Sequence, residues 1–249
     1  MFNSVRIFNG QFLPVTLSQC TDVLFADMAA GKRGWLATVN VSILMMMRES
    51  SALQTFVDKA AWTVADGQPL IWASNWFGTP LPERVTGVDL VEQLCERAQA
   101  QGVGVYFVGA SQAVVETMVQ RLQQSYPRLS IGYCDGYFPM SGAAERADLV
   151  AASGASILLV GMGVPRQEQF IEQQWDRLGV KLAIGVGGSF DVLAGLRKRA
   201  PIWVQRIGME WMYRLVQEPG RLWKRYLVTN TQFVLMLARA MLFPRYRSR

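Results

Sequence analysis

Residues 103–126 read VGVYFVGASQAVVETMVQRLQQSY, and the spacing of their apolar residues changes once along the way. Val103 to Gly109 is a short β-branched and aromatic run closed by glycine, the pattern of a buried strand. From Ser111 to Tyr126 the apolar residues return every three or four positions, which is the pattern of a helix with one covered face. Five more runs repeat the strand half: WLATVN (35–40), AAWTVAD (60–66), LSIGYC (129–134), SILLVG (156–161) and KLAIGVG (181–187). Helical stretches such as VDLVEQLCERAQAQG (88–102) lie between them. Strand alternating with helix predicts an α/β fold, a mostly parallel Rossmann-like sheet with helices on both faces.

The alternation stops near Ala200. Residues 1–196 form the expected α/β core, and residues 197–249 a basic, Trp- and Arg-rich helical appendage of two or three helices, punctuated by Pro201, Pro219-Gly220 and Pro244. The whole chain carries a formal net charge of +6, but residues 197–249 hold 12 Lys/Arg against only Glu210 and Glu218. The basic character therefore belongs to the appendage. It points to an anionic partner: nucleic acid, a phosphorylated substrate, or the negative cytoplasmic leaflet of a membrane. The most apolar piece, 233–243, is interrupted by Arg239 and is shorter than the ~20 residues of a membrane span. With basic flanks it reads as an interfacial helix.

Several chemistries are excluded by what is missing. The chain has no histidine, so a Ser-His-Asp triad cannot form and a carboxylate or an amine must do any proton transfer near neutral pH. It has neither a phosphate-binding G-x-x-x-x-G-K-[ST] loop nor a D-x-D pair, which leaves metal-held diphosphate and P-loop hydrolysis unsupported. Cys20, Cys95 and Cys134 have neither disulfide nor zinc spacing, and the N-terminus lacks a secretory pattern. A cytoplasmic protein without metal or cofactor is the expectation, with phosphate held by arginines and backbone amides.

In doubly wound sheets ligands bind outside the carboxyl ends of the strands. Here those ends carry Thr38 and Asn40, Asp66, Gly109 to Ser111, Cys134 to Gly136, Gly161 to Gly163, and the run Gly185 to Gly188 that includes Gly187. Glycines there let backbone N–H groups approach a phosphate or a sugar. Asp66, ahead of Gly67, reads either as a turn residue or as a general base, its carboxylate partly desolvated beside Trp62 and Trp72. Asp135 allows the same two readings. Gly163 to Glu168 opens a helix, either as an ordinary helix start or with Arg166 and Gln167 donating into the cleft. In the appendage, Arg214, Arg221 and Arg225, with Lys224, either clamp a diphosphate or form a solvated basic face.

Seven blocks in order carry a resemblance over nearly the whole chain: TVN (38–40), ADG (65–67), ERVTGVDL (83–90), GMGVPRQE (161–168), GVGGSFDVLAG (185–195), RAP (199–201) and EWMYRLVQEPGR (210–221). Together they resemble the WecG/TagA/CpsF glycosyltransferases, glycosyltransferase family 26. The resemblance implies an inverting transferase that moves a sugar from a UDP-sugar donor to a polyprenyl-diphosphate-linked saccharide acceptor, in bacterial exopolysaccharide or cell-surface glycopolymer synthesis. It implies a peripheral protein on the anionic inner face of the plasma membrane. The apolar, tryptophan-rich interleaving of the basic tail and the absence of a recognised module argue against a nucleic acid partner. It places the catalytic base at Asp66, the reacting sugars near Thr38 and Asn40, Arg84 and Gln167 at the cleft, and the diphosphate on Arg214, Arg221 and either Lys224 or Arg225. The polar stretch Thr229 to Gln232, ahead of the last apolar helix, departs from a deeply inserted tail. An apolar helix can also bury its face in a second copy, which allows a homo-oligomer. The alternative from another class is a non-catalytic, membrane-associated nucleotide-sugar or polyprenyl-phosphate binding protein.

Overall fold

The computed structural model describes residues 3–243, apart from the Arg221 side chain. A two-stranded antiparallel hairpin comes first, β1 (Val5–Ile7) and β2 (Gly10–Phe12), with Val5 opposite Phe12. The sequence reading assigned nothing to this segment. It is followed by α1 (Leu17–Ala29), β3 (Gly34–Val39), α2 (Val41–Glu49), α3 (Ser51–Asp58), β4 (Trp62–Ala65), α4 (Gln68–Trp76) and α5 (Gly87–Gln101). The second half of the core runs β5 (Val105–Gly109), α6 (Gln112–Ser125), β6 (Ile131–Cys134), α7 (Ala143–Ala152), β7 (Ile157–Gly161), α8 (Arg166–Leu178), β8 (Leu182–Gly185) and α9 (Ser189–Leu193). Three helices close the described chain: α10 (Ile202–Arg206), α11 (Glu210–Gln217) and α12 (Pro219–Leu242).

The six core strands form one parallel sheet in the order β4-β3-β8-β7-β5-β6; five lie within runs picked out in the sequence, and β3 starts one residue ahead of its run, at Gly34. Because successive strand residues point to opposite faces, each run feeds two cores. Val105 and Phe107 of β5, Ile157 and Leu159 of β7, and Leu182 and Ile184 of β8 pack on one face with α1, α5 and α6. Tyr106 and Val108, Leu158 and Val160, and Ala183 pack on the other with α2, α7 and α8. Burial on both faces explains why these strands read as continuous apolar runs.

The order of the strands decides where a ligand can lie. The chain leaves β5 outward to the edge strand β6, and leaves β7 inward to β8. The connections therefore diverge between β5 and β7 and open a crevice at the carboxyl edge of the sheet.

The last helix is continuous through the polar stretch that the sequence suggested would precede it. Thr229 Oγ1 lies 3.0 Å from Ser42 Oγ and donates to the Arg225 carbonyl, while Gln232 Nε2 donates to Glu49 Oε1 at 3.0 Å. These polar residues seat α12 on α2. Phe233, Leu237 and Ala240, spaced by helical turns, are buried in the adjoining core, and Phe233 meets Phe8 of the hairpin turn edge to face. Leu227, Val228, Val234 and Leu235 remain exposed. The helix thus has two apolar sides, one packed on the core and one free.

Candidate active site

Two cavities open at the carboxyl edge of the sheet and meet at Asp66. The larger, about 430 Å³, is lined by the strand-end loops, including Thr38, Ser111, Gly161 to Val164 and Gly185 to Gly188. The smaller, about 140 Å³, lies between the starts of α2, α4 and α5 and, across from them, α11, α12 and the turns that flank α10. Asn40, Asp66, Val186, Arg214 and Tyr226 border both.

Asp66 continues the strand pairing past the end of β4, its N–H donating to the Val39 carbonyl at 2.8 Å, so the backbone fixes where the carboxylate stands. Burial pushes its pKa up to about 6; Arg214 opposes that shift, Glu210 adds to it, Arg84 opposes it and Asp89 adds to it, in that order of size. A carboxyl group with this value is ionised at neutral pH yet basic enough to take a proton. Neither of the expected tryptophan neighbours lines the cavities that meet at Asp66. Trp62 stands four strand residues away, about 13 Å along the chain, and donates its indole N–H to Asp27. Trp72 lies on α4 outside both cavities.

The larger cavity is lined by glycine-rich strand-end loops together with residues that include Arg166, Gln167, Arg225 and Tyr226. Thr38 Oγ1 donates to the Gly185 carbonyl at 2.9 Å, and Asn40 caps α2 by accepting from the Ile43 N–H at 3.0 Å. Gln167, expected as a donor into the cleft, is buried and holds the cleft together instead. Its Oε1 accepts from the N–H groups of Gly163 and Gly187, at 3.2 and 3.0 Å, and so ties the loop after β7 to the loop after β8. Its Nε2 donates to Glu168 Oε1 at 2.8 Å. Gly185 is required beneath it, because a β-carbon there would stand 2.4 Å from Gln167 Nε2. Gly188 lies where the chain enters α9. Glu168 is itself buried, burial raises its pKa to about 7, and its Oε2 has no partner among the described residues.

The smaller cavity is built from ion pairs. Arg84 Nη1 meets Glu210 Oε2 at 2.5 Å, joining the loop before α5 to α11. Arg199 grips Asp89 with both Nη atoms, at 2.5 and 2.6 Å, and Thr86 Oγ1 donates to the same carboxylate at 2.6 Å. Arg199, Asp89, Thr86 and Glu210 were not singled out in the sequence, although all four lie inside the blocks that carry the resemblance. Their charge-complementary chemistry becomes visible only when α10 and α11 fold back over α5.

Arg214 borders both cavities and Arg225 lines the larger one, its guanidinium also packing on the Tyr226 ring. Lys224 lines neither; its ammonium lies over Trp223. The Arg221 side chain lies outside the described residues. Arg166 donates to the Phe138 carbonyl and packs on the Phe138 ring. Asp135 takes the turn reading, accepting from the Tyr137 N–H at 2.9 Å and pairing with Arg146 at 3.0 Å.

The family model of the Glycosyl transferase WecG/TagA/CpsF family matches residues 5–247. The chain belongs to this family. It is 34% identical over 197 residues, covering 79% of this chain and 76% of the relative, to an N-acetylglucosaminyldiphosphoundecaprenol N-acetyl-beta-D-mannosaminyltransferase from Bacillus spizizenii. The sheet, the crevice and the bordering appendage are therefore those of a WecG/TagA/CpsF glycosyltransferase. Of the residues expected at its site, Thr38, Asn40, Asp66, Arg84, Gln167, Gly187, Gly188, Arg214 and Arg225 all line one or both cavities. No helix among the described residues of this glycosyltransferase is long and apolar enough to cross a membrane.

Proposed function

We propose that the protein is an inverting glycosyltransferase that moves a sugar from a UDP-sugar to a polyprenyl-diphosphate-linked saccharide at the inner membrane face, in cell-surface glycopolymer synthesis. The observation that carries this reading is the place of Asp66: one carboxylate on the border between two cavities, as a transfer between two bound substrates requires. The larger cavity suits the donor, because its glycine-rich strand ends offer backbone N–H groups to a nucleotide diphosphate. The smaller cavity suits the acceptor sugar, with the lipid leaving past α10 to α12. Asp66 takes the proton of the acceptor hydroxyl as that oxygen attacks the anomeric carbon. The bond from that carbon to the diphosphate oxygen breaks on the opposite side, and UDP departs with the electron pair. Arg214 and Arg225, with Arg221 as a further candidate, meet the charge growing on the diphosphate, so no metal ion is required.

The relative's name supplies the first pair of substrates to try: an N-acetylmannosaminyl donor and N-acetylglucosaminyl-diphospho-undecaprenol. The deciding experiment incubates purified protein with UDP-sugars and a short-chain polyprenyl-diphosphate-sugar in the presence of EDTA, and follows UDP release and product mass. Acceptor-dependent release with one donor, lost in Asp66→Asn, is the expected result. UDP release that needs added divalent metal would overturn the arginine assignment, and normal turnover in Asp66→Asn would remove Asp66 from its role.

A further inference from the structure

The rim of the smaller cavity has an apolar extension on the α/β core. The segment from Gly67 to Pro82 contains no Asp, Glu, Lys or Arg. Within it α4 buries Leu70, Ile71 and Ala73 against the core and turns Trp72 and Trp76 outward, 40% and 53% exposed. These two are one helical turn apart and share a face with Gln68, a turn earlier, which lines the smaller cavity. The stripe therefore leads from the cavity to open surface.

It meets a second stripe at Gly208. A β-carbon on Gly208 would stand 2.5 Å from Gln68 Cγ and 3.1 Å from Trp72 Cζ2, so α4 and the bend between α10 and α11 are in close contact there. Ile207, next in the chain, is 52% exposed, and Trp203, one turn back on α10, is 67% exposed. Arg206 lies exposed between them, and α10 has no acidic residue.

We propose that α4 is a second membrane contact, carried by the α/β core, with Trp72 and Trp76 seated in the headgroup region beside Trp203 and Ile207 so that the acceptor cavity opens at the bilayer surface. This rests on the reading of the acceptor as lipid-linked. Charge selects the partner: the joined stripes present a cation and no carboxylate, which suits an anionic lipid surface. Tryptophan is the side chain that favours the boundary between water and acyl chains. A single interfacial helix can rock about its own axis. A contact on the core side of the cavity as well as on the appendage fixes the tilt and holds the cavity mouth at headgroup depth.

The test is flotation with vesicles of neutral phosphatidylcholine and of the same lipid with an anionic component, comparing the full chain with Trp72→Gln/Trp76→Gln. Neither tryptophan lines either of the two cavities that meet at Asp66, so turnover of a short-chain, detergent-free acceptor should stay within about twofold of the parent. Vesicle partitioning should fall by about tenfold in both lipid compositions, because the contribution is apolar burial. Brominated lipids should quench the parent more than the variant. If the double variant loses its cooperative melt, Trp76→Gln alone carries the test, with a smaller drop in the same direction. Partitioning and quenching equal to the parent would overturn the proposal while leaving the transferase reading intact. A parent that neither floats nor uses a lipid-linked acceptor would instead remove that reading. Unchanged vesicle binding combined with loss of self-association would assign the stripe to a second copy of the chain and overturn the membrane contact.

Discussion

The two cavities that meet at Asp66 are made of different materials. The larger is lined by the loops at the ends of β3, β5, β7 and β8, with Gln167 tying two of those loops together. The smaller is lined by Arg84, Arg199 and Glu210, whose charge pairs, Arg84 with Glu210 and Arg199 with Asp89, reach from the core to the appendage. Backbone amides held by a sheet keep a fixed geometry with little dependence on pH or salt. Ion pairs between separate elements respond to both, because screening weakens them and each partner alters its neighbours' protonation. The difference teaches that one wall of the site is as rigid as the fold, and the other is as strong as its electrostatics.

The largest expected effect sits at the border itself. Replacing Asp66 with Asn removes the base and should lower turnover by about 10³-fold. It should also stabilise the fold. The native Asp66 carboxyl titrates near 6 rather than at its ordinary 3.8, so the folded protein binds more protons than the unfolded chain between those values. Stability is therefore lost as pH rises through that window, and Asp66→Asn avoids the loss. Denaturant unfolding at pH 8 should find the variant more stable by roughly 1–3 kcal/mol, with little difference near pH 3.5.

Next in size is the contrast between neighbours on α12. Arg225→Gln should lower kcat/KM by about 10- to 100-fold, whereas Lys224→Gln should change it by less than about twofold, since only Arg225 lines a cavity. Equal losses would mean that the diphosphate lies outside the larger cavity.

Glu168 sharpens the comparison of walls, because it is a second raised carboxyl group that no cation offsets. Burial lifts it from 4.5 to about 7, so it too costs stability as pH rises through that interval. Glu168→Gln keeps an oxygen to accept from Gln167, and should be more stable than the parent above pH 7 and equal to it near pH 4.5. Thermal melts across that range read the outcome directly. A donor KM close to the parent's is expected, and a large rise would show that ionised Glu168 matters to the backbone wall.

The smallest effect is a displacement of the acid limb of the pH–rate profile, which should fall near pH 6 in the parent. Arg214→Gln should move it to higher pH, because Arg214 favours ionised Asp66, and Glu210→Gln should move it lower. Shifts in the same direction would break the electrostatic account of the smaller cavity.

Much of the larger cavity was legible along the chain. Strands that are buried on both faces must be apolar over their whole length, and they must end where the chain turns, so the runs closing at Thr38, Asp66, Gly109, Gly161 and Gly185 located the carboxyl edge of the sheet before its order was known. The smaller cavity was not legible in the same way. Arg199 and Asp89 are 110 residues apart, and no local pattern distinguishes a charge that meets a distant partner from one that meets water.

By itself, then, the sequence determined the α/β alternation, the six strands, the basic appendage, the family and the carboxylate at the end of β4, because each is written in local periodicity, composition or a contiguous motif. Tertiary structure alone decided the strand order that opens the crevice, the use of Gln167 as a tie between loops, the seating of one side of α12 on α2, and the convergence of Trp72 on Gly208. The physical reason is that these depend on which distant surfaces meet, and packing and charge pairing act through space rather than along the chain.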